Sequence, residues 1–337
     1  MSYVLLTGGA GYIGSHTALA LLRAGEQVIS FDNYSNSSAE SLKRVEFLAG
    51  KPIIQIKGDV RDRSALADVF KQYPIKAVIH FAALKAVGES VQKPLAYYET
   101  NVGGTVTLCQ VMAEFNVKRL VFSSSATVYG ASEVMPIPET ASRSATNPYG
   151  QTKLMIEHVL SDLYQSDDSW DIAVLRYFNP VGADHSGKIG EDPNGIPNNL
   201  MPFITQVAVG KREVLNVFGA DYNTPDGTGV RDFIHVTDLA AGHLAALKHL
   251  FTKPGIGYFN LGTGIGYSVL DIVKCFIEVN QINIPYVITQ RRPGDIGCCY
   301  ADPTRALTVL GWKTEKTLED MVRDSWNWQK NNPNGYN

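Results

Sequence analysis

With 337 residues, 45% of them hydrophobic, the chain is long enough for one large domain or two modest ones with ample core. A formal charge of −3, with no long run of either sign, gives nothing to attract nucleic acid or an anionic membrane. The four cysteines, Cys109, Cys275, Cys298 and Cys299, form no Cys-x-x-Cys pair and no His-Glu-x-x-His stretch occurs, so no metal site is expected.

No apolar run reaches spanning length, and an apolar strand begins at Tyr3, leaving no room for a signal peptide. The expectation is a soluble, reduced, cytoplasmic protein. In that setting the sequons at Asn33 and Asn36 carry no meaning.

The strand Tyr3 to Thr7 runs into Gly8-Gly9-Ala10-Gly11-Tyr12-Ile13-Gly14, and a helix follows through Arg23. Glycines at Gly8, Gly11 and Gly14 let the backbone turn tightly, clear Cβ atoms from the path of a pyrophosphate and aim helix N-terminal amides at it. A second strand, Gln27 to Phe31, ends in Asp32. An acid at that distance accepts from the hydroxyls of a ribose and repels a 2′-phosphate, which favours NAD over NADP. The polar loop Asn33 to Ser38 falls where an adenosine would lie. A helix to Ala49 and a strand over Pro52 to Ile56 follow. Asp59, in Gly58-Asp59-Val60, suits either an adenine amino group or the cap of the helix through Phe70, for which Asp62 is the better placed.

A fourth strand, Ala77 to Phe81, leads through Ala82-Ala83 to Lys85 at the carboxyl edge of the sheet, where ligands bind in open α/β folds. Asn101 and Gly103-Gly104 lie in a long helix running to Phe115. A fifth strand, Arg119 to Phe122, runs into Ser123-Ser124-Ser125. These hydroxyls serve a turn or meet a reacting oxygen at that edge. After a Pro- and Ser-rich loop, Tyr149 and Lys153 stand four apart on a helix to about Tyr164, so they share one face. An ammonium beside a phenol lowers the phenol pKa and makes it a general base near neutral pH. A sixth strand, Ile172 to Tyr177, completes a doubly wound parallel sheet over residues 1–180.

From Gly182 to Asn199 the chain is rich in Gly, Pro, Asn and Asp, as a boundary would be. Beyond it, residues 181–337 predict a smaller, mixed domain: a helix to about Val209, strands near Val214 to Val217 and Arg231 to Val236, a helix from Asp238 to Leu250, a strand at Tyr258 to Leu261 and helix to about Asn280. Some of these pieces are expected to return to the main sheet. Arg231 and Arg292 each follow or flank a glycine turn, and such forks suit a diphosphate as well as plain surface charge. Asn179 and Asn199 offer neutral groups for a sugar or a base.

Together these residues resemble the extended short-chain dehydrogenase/reductase family over nearly the whole chain. Thr7 to Gly14 and Ser123 to Tyr129 carry the general likeness. Lys85 to Val91, Arg176 to Gly182, Gly195 to Leu200 and Asp226 to Asp232 are similar, more narrowly, to the members that epimerise UDP-sugars at C4. The resemblance implies a Rossmann fold and a tightly held NAD that is not consumed. Tyr149 would take the proton of the sugar 4-hydroxyl, Ser125 would hydrogen-bond to the reacting oxygen, and Lys153 would bind the nicotinamide ribose. Hydride would leave C4, and the resulting 4-keto sugar would turn over and regain it on the other face, interconverting UDP-galactose and UDP-glucose. Cofactor positions carried over are Gly8, Gly11, Tyr12, Ile13, Gly14, Asp32, Asn33, Asn36, Ser37, Asp59, Val60, Phe81, Ala82, Lys85, Asn101, Tyr149, Lys153 and Tyr177. Thr100 stands where some members have the asparagine, with Asn101 beside it. UDP-sugar positions are Lys85, Ser125, Tyr149, Phe178, Asn179, Asn199, Leu200, Phe218, Arg231, Arg292, Asp295 and Cys299. A small Cys299, where other members carry tyrosine, implies that UDP-GalNAc and UDP-GlcNAc are admitted as well. The resemblance also implies a homodimer. A 4,6-dehydratase of this family would need an acid pair just after Ser125, and Ala126-Thr127 stand there instead. A non-catalytic NAD-sensing regulator would be expected to lose Tyr149 or Lys153.

Overall fold

Alternating apolar strands and amphipathic helices build the first half. The computed structural model describes residues 2–192, 195, 197–292 and 295–337. Parts of two stretches read above, Pro193, Asn194 and Ile196 in one and Pro293 and Gly294 in the other, lie outside the described residues. The elements run β1 (Tyr3–Thr7), α1 (Tyr12–Arg23), β2 (Gln27–Asp32), α2 (Ala39–Ala49), β3 (Ile54–Lys57), α3 (Arg63–Gln72), β4 (Ile75–His80), α4 (Val87–Gln92), α5 (Pro94–Tyr97), α6 (Gly104–Glu114), β5 (Arg119–Ser125), α7 (Pro148–Ser166) and β6 (Asp171–Tyr177). The second half adds β7 (Asn179–Val181), α8 (Leu200–Ala208), β8 (Leu215–Phe218), β9 (Val230–Arg231), β10 (Phe233–His235), α9 (Val236–Leu250), β11 (Ile256–Leu261), β12 (Tyr267–Ser268), α10 (Val269–Asn280), β13 (Tyr286–Thr289), β14 (Cys298–Cys299), α11 (Thr304–Leu310) and α12 (Leu318–Asn331).

The main sheet has the order β11-β6-β5-β4-β1-β2-β3 and every pairing in it is parallel. A parallel sheet is covered on both faces, and the side chains divide accordingly. Leu6, Ile79 and Leu175 pack with Leu19 and Leu22 of α1 and Ala246, Leu247 and Leu250 of α9. Leu5, Val78 and Leu120 pack on the other face with Phe70, Leu108, Met112, Ile156 and Leu160 from α3, α6 and α7. β1 lies between β2 and β4, so the connections leave in opposite directions there and open a crevice at the strand carboxyl ends. A separate core joins α8, α10 and α12 to β8 and β10 through Ile204, Val217, Phe233, Phe276 and Met321. Three small sheets, β10–β7, β12–β9–β14 and β13–β8, frame it. No helix among the described residues is long and apolar enough to cross a membrane.

Three local expectations change. The long helix ending at Phe115 is two helices joined by a wider π-type turn over Tyr98–Gly103. The strand expected over Arg231 to Val236 breaks at Asp232, where the chain changes partners: β9 pairs with β12 and β14, β10 pairs with β7, and Asp232 bonds to both sides, its amide donating to the Cys299 carbonyl and its carbonyl accepting from the Asn179 amide. β5 continues through the three serines, and β11, from the second half, adds a seventh strand beside β6.

Candidate active site

The glycine turn closes over β4. Gly8 has φ +73°, and a Cβ there would stand 2.7 Å from the Ala82 amide nitrogen. A Cβ at Gly14 would stand 2.4 Å from the Gly8 carbonyl oxygen. Both positions therefore demand glycine. Gly11 precedes α1 and no side chain caps that helix, so its first amides face the crevice. Asp32, buried at the end of β2, accepts from the Ala10 amide at 3.0 Å, the Tyr34 amide at 2.9 Å and the Ser37 hydroxyl at 2.9 Å. One carboxylate thus fixes the turn and the polar loop together. Asp59 takes two bonds from the Arg61 guanidinium, the shorter 2.8 Å, and one from Asn33 at 3.0 Å; Arg61 holds its carboxyl well below the usual range. Asp62, not Asp59, caps α3, accepting from the Ala65 amide.

These residues line a cleft of about 440 Å³ that runs along the carboxyl edge of the sheet. Gly8, Gly11, Tyr12, Ile13, Gly14, Asp32, Asn33, Asn36, Ser37, Asp59, Val60, Phe81, Ala82, Lys85, Tyr149, Lys153 and Tyr177 all lie on its walls. Asn101 does not. Its amide is used up inside the protein, accepting from the Leu84 amide at 2.8 Å and donating to the Leu84 carbonyl and the Thr152 hydroxyl, each at 3.0 Å. Thr100 lines the cleft instead. Asn101 is 1% exposed, so of the two neighbours Thr100 is the one that faces the cleft.

At the reacting end, α7 starts with Asn147 as its cap, accepting from the Gly150 amide at 2.9 Å. It presents Tyr149 and Lys153 one turn apart. Lys153 is buried, and its ammonium donates to the Ser123 carbonyl at 2.6 Å. Its nitrogen lies 6.0 Å from the centre of the Tyr149 ring. Burial pushes the lysine pKa down to about 7 and pushes the Tyr149 phenol up; a hydrogen bond from Ser125 partly offsets the latter. The spacing predicts that Lys153 lowers the tyrosine. In the structure desolvation outweighs that effect, and Ser125 is the group that lowers it. One turn further along α7, Glu157 is fully buried. It accepts from Ser124 at 2.6 Å, from Arg176 at 2.9 and 2.7 Å and from Arg143 at 3.1 Å.

Of the expected UDP-sugar residues, Lys85 and Tyr149 line the cleft and the others are not among its walls. Arg231 pairs with Cys299 across β9 and β14, and its guanidinium donates to the carbonyls of Val230 and Ile296, each at 2.8 Å. Arg292 lies over the Phe218 ring at 4.9 Å and donates to Asp295 at 2.9 Å. Cys299 is buried among Phe178, Leu154 and Tyr129. Asn179 opens β7, and Leu200 opens α8 beside Asn199.

Sequence reasoning missed the residue that joins the two regions. Glu191 accepts from Asn199 at 2.7 Å and stands 3.5 Å from the Lys85 ammonium. The Trp328 indole of α12 donates to its carbonyl at 3.1 Å. Gly190, Asp192 and Tyr336 complete that wall, where Tyr336 donates its amide to Asp192 at 2.8 Å. No motif marks these positions.

The glycine turn, the uncapped helix and the buried acid at the end of β2 suit a dinucleotide: the helix amides face the cleft for a pyrophosphate, and Asp32 on its wall offers acceptors to ribose hydroxyls. Residues 4–262 match the model of the NAD dependent epimerase/dehydratase family. A UDP-glucose 4-epimerase of Bacillus subtilis strain 168 is 57% identical over 333 residues, covering 99% of this chain and 98% of that one. Among solved structures, the UDP-glucose 4-epimerase of Bifidobacterium longum in complex with NAD+ and UDP superposes with a TM-score of 0.96 at 54% identity, covering 99% of this chain and 100% of that one. The UDP-Glc/GlcNAc 4-epimerase of Campylobacter jejuni gives 0.85 at 33% identity, covering 98% and 100%. With the glycine cradle, the acid and the Tyr149–Lys153 helix inside the matched span, the chain belongs to the NAD-dependent epimerase/dehydratase family.

Proposed function

We propose that the protein interconverts UDP-galactose and UDP-glucose by transient oxidation at C4 of the sugar. The observation that carries this reading is Tyr149 and Lys153 together on the wall of the cleft, with Ser125 hydrogen-bonded to the Tyr149 phenol. The full-length likeness to UDP-glucose 4-epimerases supports it. In this reading the turn amides and Asp32 hold the pyrophosphate and ribose of NAD. Bound NAD supplies a reversible hydride acceptor at the sugar C4. Tyr149 takes the proton of the 4-hydroxyl and later returns it, while Ser125 holds the same oxygen by a hydrogen bond. Lys153, anchored on the Ser123 carbonyl, presents its remaining protons to the nicotinamide ribose. Arg231, Arg292, Asp295, Phe218, Asn199 and Leu200 fix the UDP, and Asn179 meets the sugar or the base. The sugar is then free to turn its other face as a C4 ketone.

Cys299 extends the reading to UDP-GalNAc and UDP-GlcNAc. It is 6% exposed and packs on Phe178, so a tyrosine there would fill space beside the sugar. Elimination chemistry is disfavoured by Ala126-Thr127, which offer no carboxylate after Ser125. The reading also includes a cytoplasmic homodimer and a division near residue 180 between cofactor-binding and sugar-binding parts.

The test is a pair of assays on purified protein with no added NAD, one offering UDP-galactose and the other UDP-GalNAc, read by product identity. Conversion of both to the gluco forms is expected. Conversion of UDP-galactose alone removes the Cys299 argument. Conversion of neither, with NAD supplied, overturns the epimerase reading.

A further inference from the structure

The reacting end of the cleft has a support that does not touch it. His243 is completely buried on α9. Its Nδ1 lies 2.8 Å from the Leu239 carbonyl, an acceptor only, so Nδ1 carries the ring proton. Nε2 is then a bare acceptor, and the Tyr177 hydroxyl donates to it. Burial pushes the imidazole down to about 4, which keeps it in that neutral form at working pH. The Tyr177 oxygen also meets the Ser123 hydroxyl, and the Ser123 carbonyl receives Lys153. The imidazole packs against two rings at once: Phe81 at 4.8 Å between centroids and Tyr177 at 5.2 Å. Both of those rings line the cleft, as do Ser123 and Lys153.

We propose that His243 is a positioning residue for the reacting end, fixing Tyr177 and Phe81 and, through Ser123, the lysine beside Tyr149. A histidine that merely filled the core would be replaceable by any side chain of its volume. This one supplies the acceptor that sets the direction of the Tyr177 hydroxyl, and an apolar replacement strands that hydroxyl in a dry site. The proposal rests on the reading above for the nature of the reaction.

The test uses the full chain with its retained NAD and the variants His243→Leu, His243→Gln, Tyr177→Phe and the Leu/Phe double. Leucine fills the volume without an acceptor; glutamine returns a carbonyl oxygen near the place of Nε2. Readouts are NAD per subunit after gel filtration, kcat and KM for UDP-galactose, and UDP affinity by calorimetry. His243→Leu is expected to lower kcat about tenfold or more, the scale on which supporting hydrogen-bond partners act, and to shed NAD. UDP affinity should stay within about threefold, because the anchor residues are elsewhere. His243→Gln should recover most of kcat, and the loss in the double variant should fall short of the product of the two single losses, since both changes break the same His243–Tyr177 bond while Tyr177→Phe also gives up the Ser123 contact. Wild-type kcat and NAD content in His243→Leu overturns the proposal, as does equal impairment in His243→Gln or full additivity with Tyr177→Phe. Should His243→Leu fail to fold, His243→Phe, an aromatic ring without an acceptor, takes its place: wild-type kcat and NAD retention there overturn the proposal, and the loss described for His243→Leu upholds it. A wild-type protein that holds NAD but converts no UDP-galactose overturns the epimerase reading, and the NAD-retention arm still judges His243.

Discussion

Tyr149 and Lys153 each resist carrying a charge alone. Burial raises the phenol and brings the lysine down to about 7, so in a dry pocket a phenolate and an ammonium are best tolerated together. Ser125 adds a donor to the phenol oxygen. In the proposed reaction this pair trades a proton with a hydroxyl that approaches between Tyr149 and Ser125. Removing the phenol oxygen should abolish that exchange and leave the glycine cradle and Asp32 untouched. Tyr149→Phe is therefore expected to retain NAD while turnover of UDP-galactose falls at least about a hundredfold, the scale of lost general base catalysis. Product formation measures it, and turnover near wild type would rule out Tyr149 as the base. At this scale the sequence was readable where a role depends on near neighbours. The glycine turn between β1 and α1, the acid at the end of β2 and the shared face of Tyr149 and Lys153 on α7 stand where the sequence places them. The partners of Asn101, the Leu84 backbone and Thr152, were not legible because folding brings them to it and they leave no mark beside it.

Helix α7 has to hold its two pocket residues against β5 with little play. Its lock is the buried Glu157, gripped by both arms of Arg176 from β6 and by Ser124 from β5. Arg176 continues to the Tyr129 hydroxyl at 2.8 Å, and Tyr129 to Asn260 of β11 at 2.6 Å. The network ties α7, β5, β6 and β11 together, one residue before Ser125 on β5. Neutralising one member leaves the guanidinium uncompensated in the core. Glu157→Gln is expected to cost about 3–5 kcal/mol of stability, the usual result of breaking a buried pair, and to lower kcat with it. Denaturant unfolding checks the first; a loss under about 1 kcal/mol would show that the pair does not lock the helix. The elements themselves were legible as alternating apolar strands and capped helices. The π-type turn at Tyr98–Gly103 and the break at Asp232 were not, because each answers to a tertiary contact rather than to local propensity.

Across the whole molecule, the second half is not a mere appendix to the first. α9 covers one face of the sheet and β11 extends it, while α12 and Tyr336 reach back to the cleft. That return is why Glu191, Tyr336 and His243 escaped sequence reasoning. On the outside, α4 and α5 pack against α7 and leave Val91 64% and Leu95 82% exposed, with Val87 and Met155 also bare. Exposed apolar side chains gathered on neighbouring helices mark a contact surface, and a second copy of the chain is the proposed occupant. Leu95→Asp is expected to shift the particle from twice the chain mass toward one, as read by light scattering. An unchanged mass, or a wild type that is already monomeric, would place the dimer elsewhere or remove it. The cleft that results is walled by residues as far apart in the chain as Gly8 and Tyr336. A ribosome adds about 5–20 residues per second, so these two walls are made on the order of tens of seconds apart. The nucleotide-binding turn emerges early, without Gly190, Asp192 and Tyr336 beside it. A firm grip on the cofactor thus waits until the chain has been made through Tyr336, and the nascent half-sheet has only its own core to rely on before then.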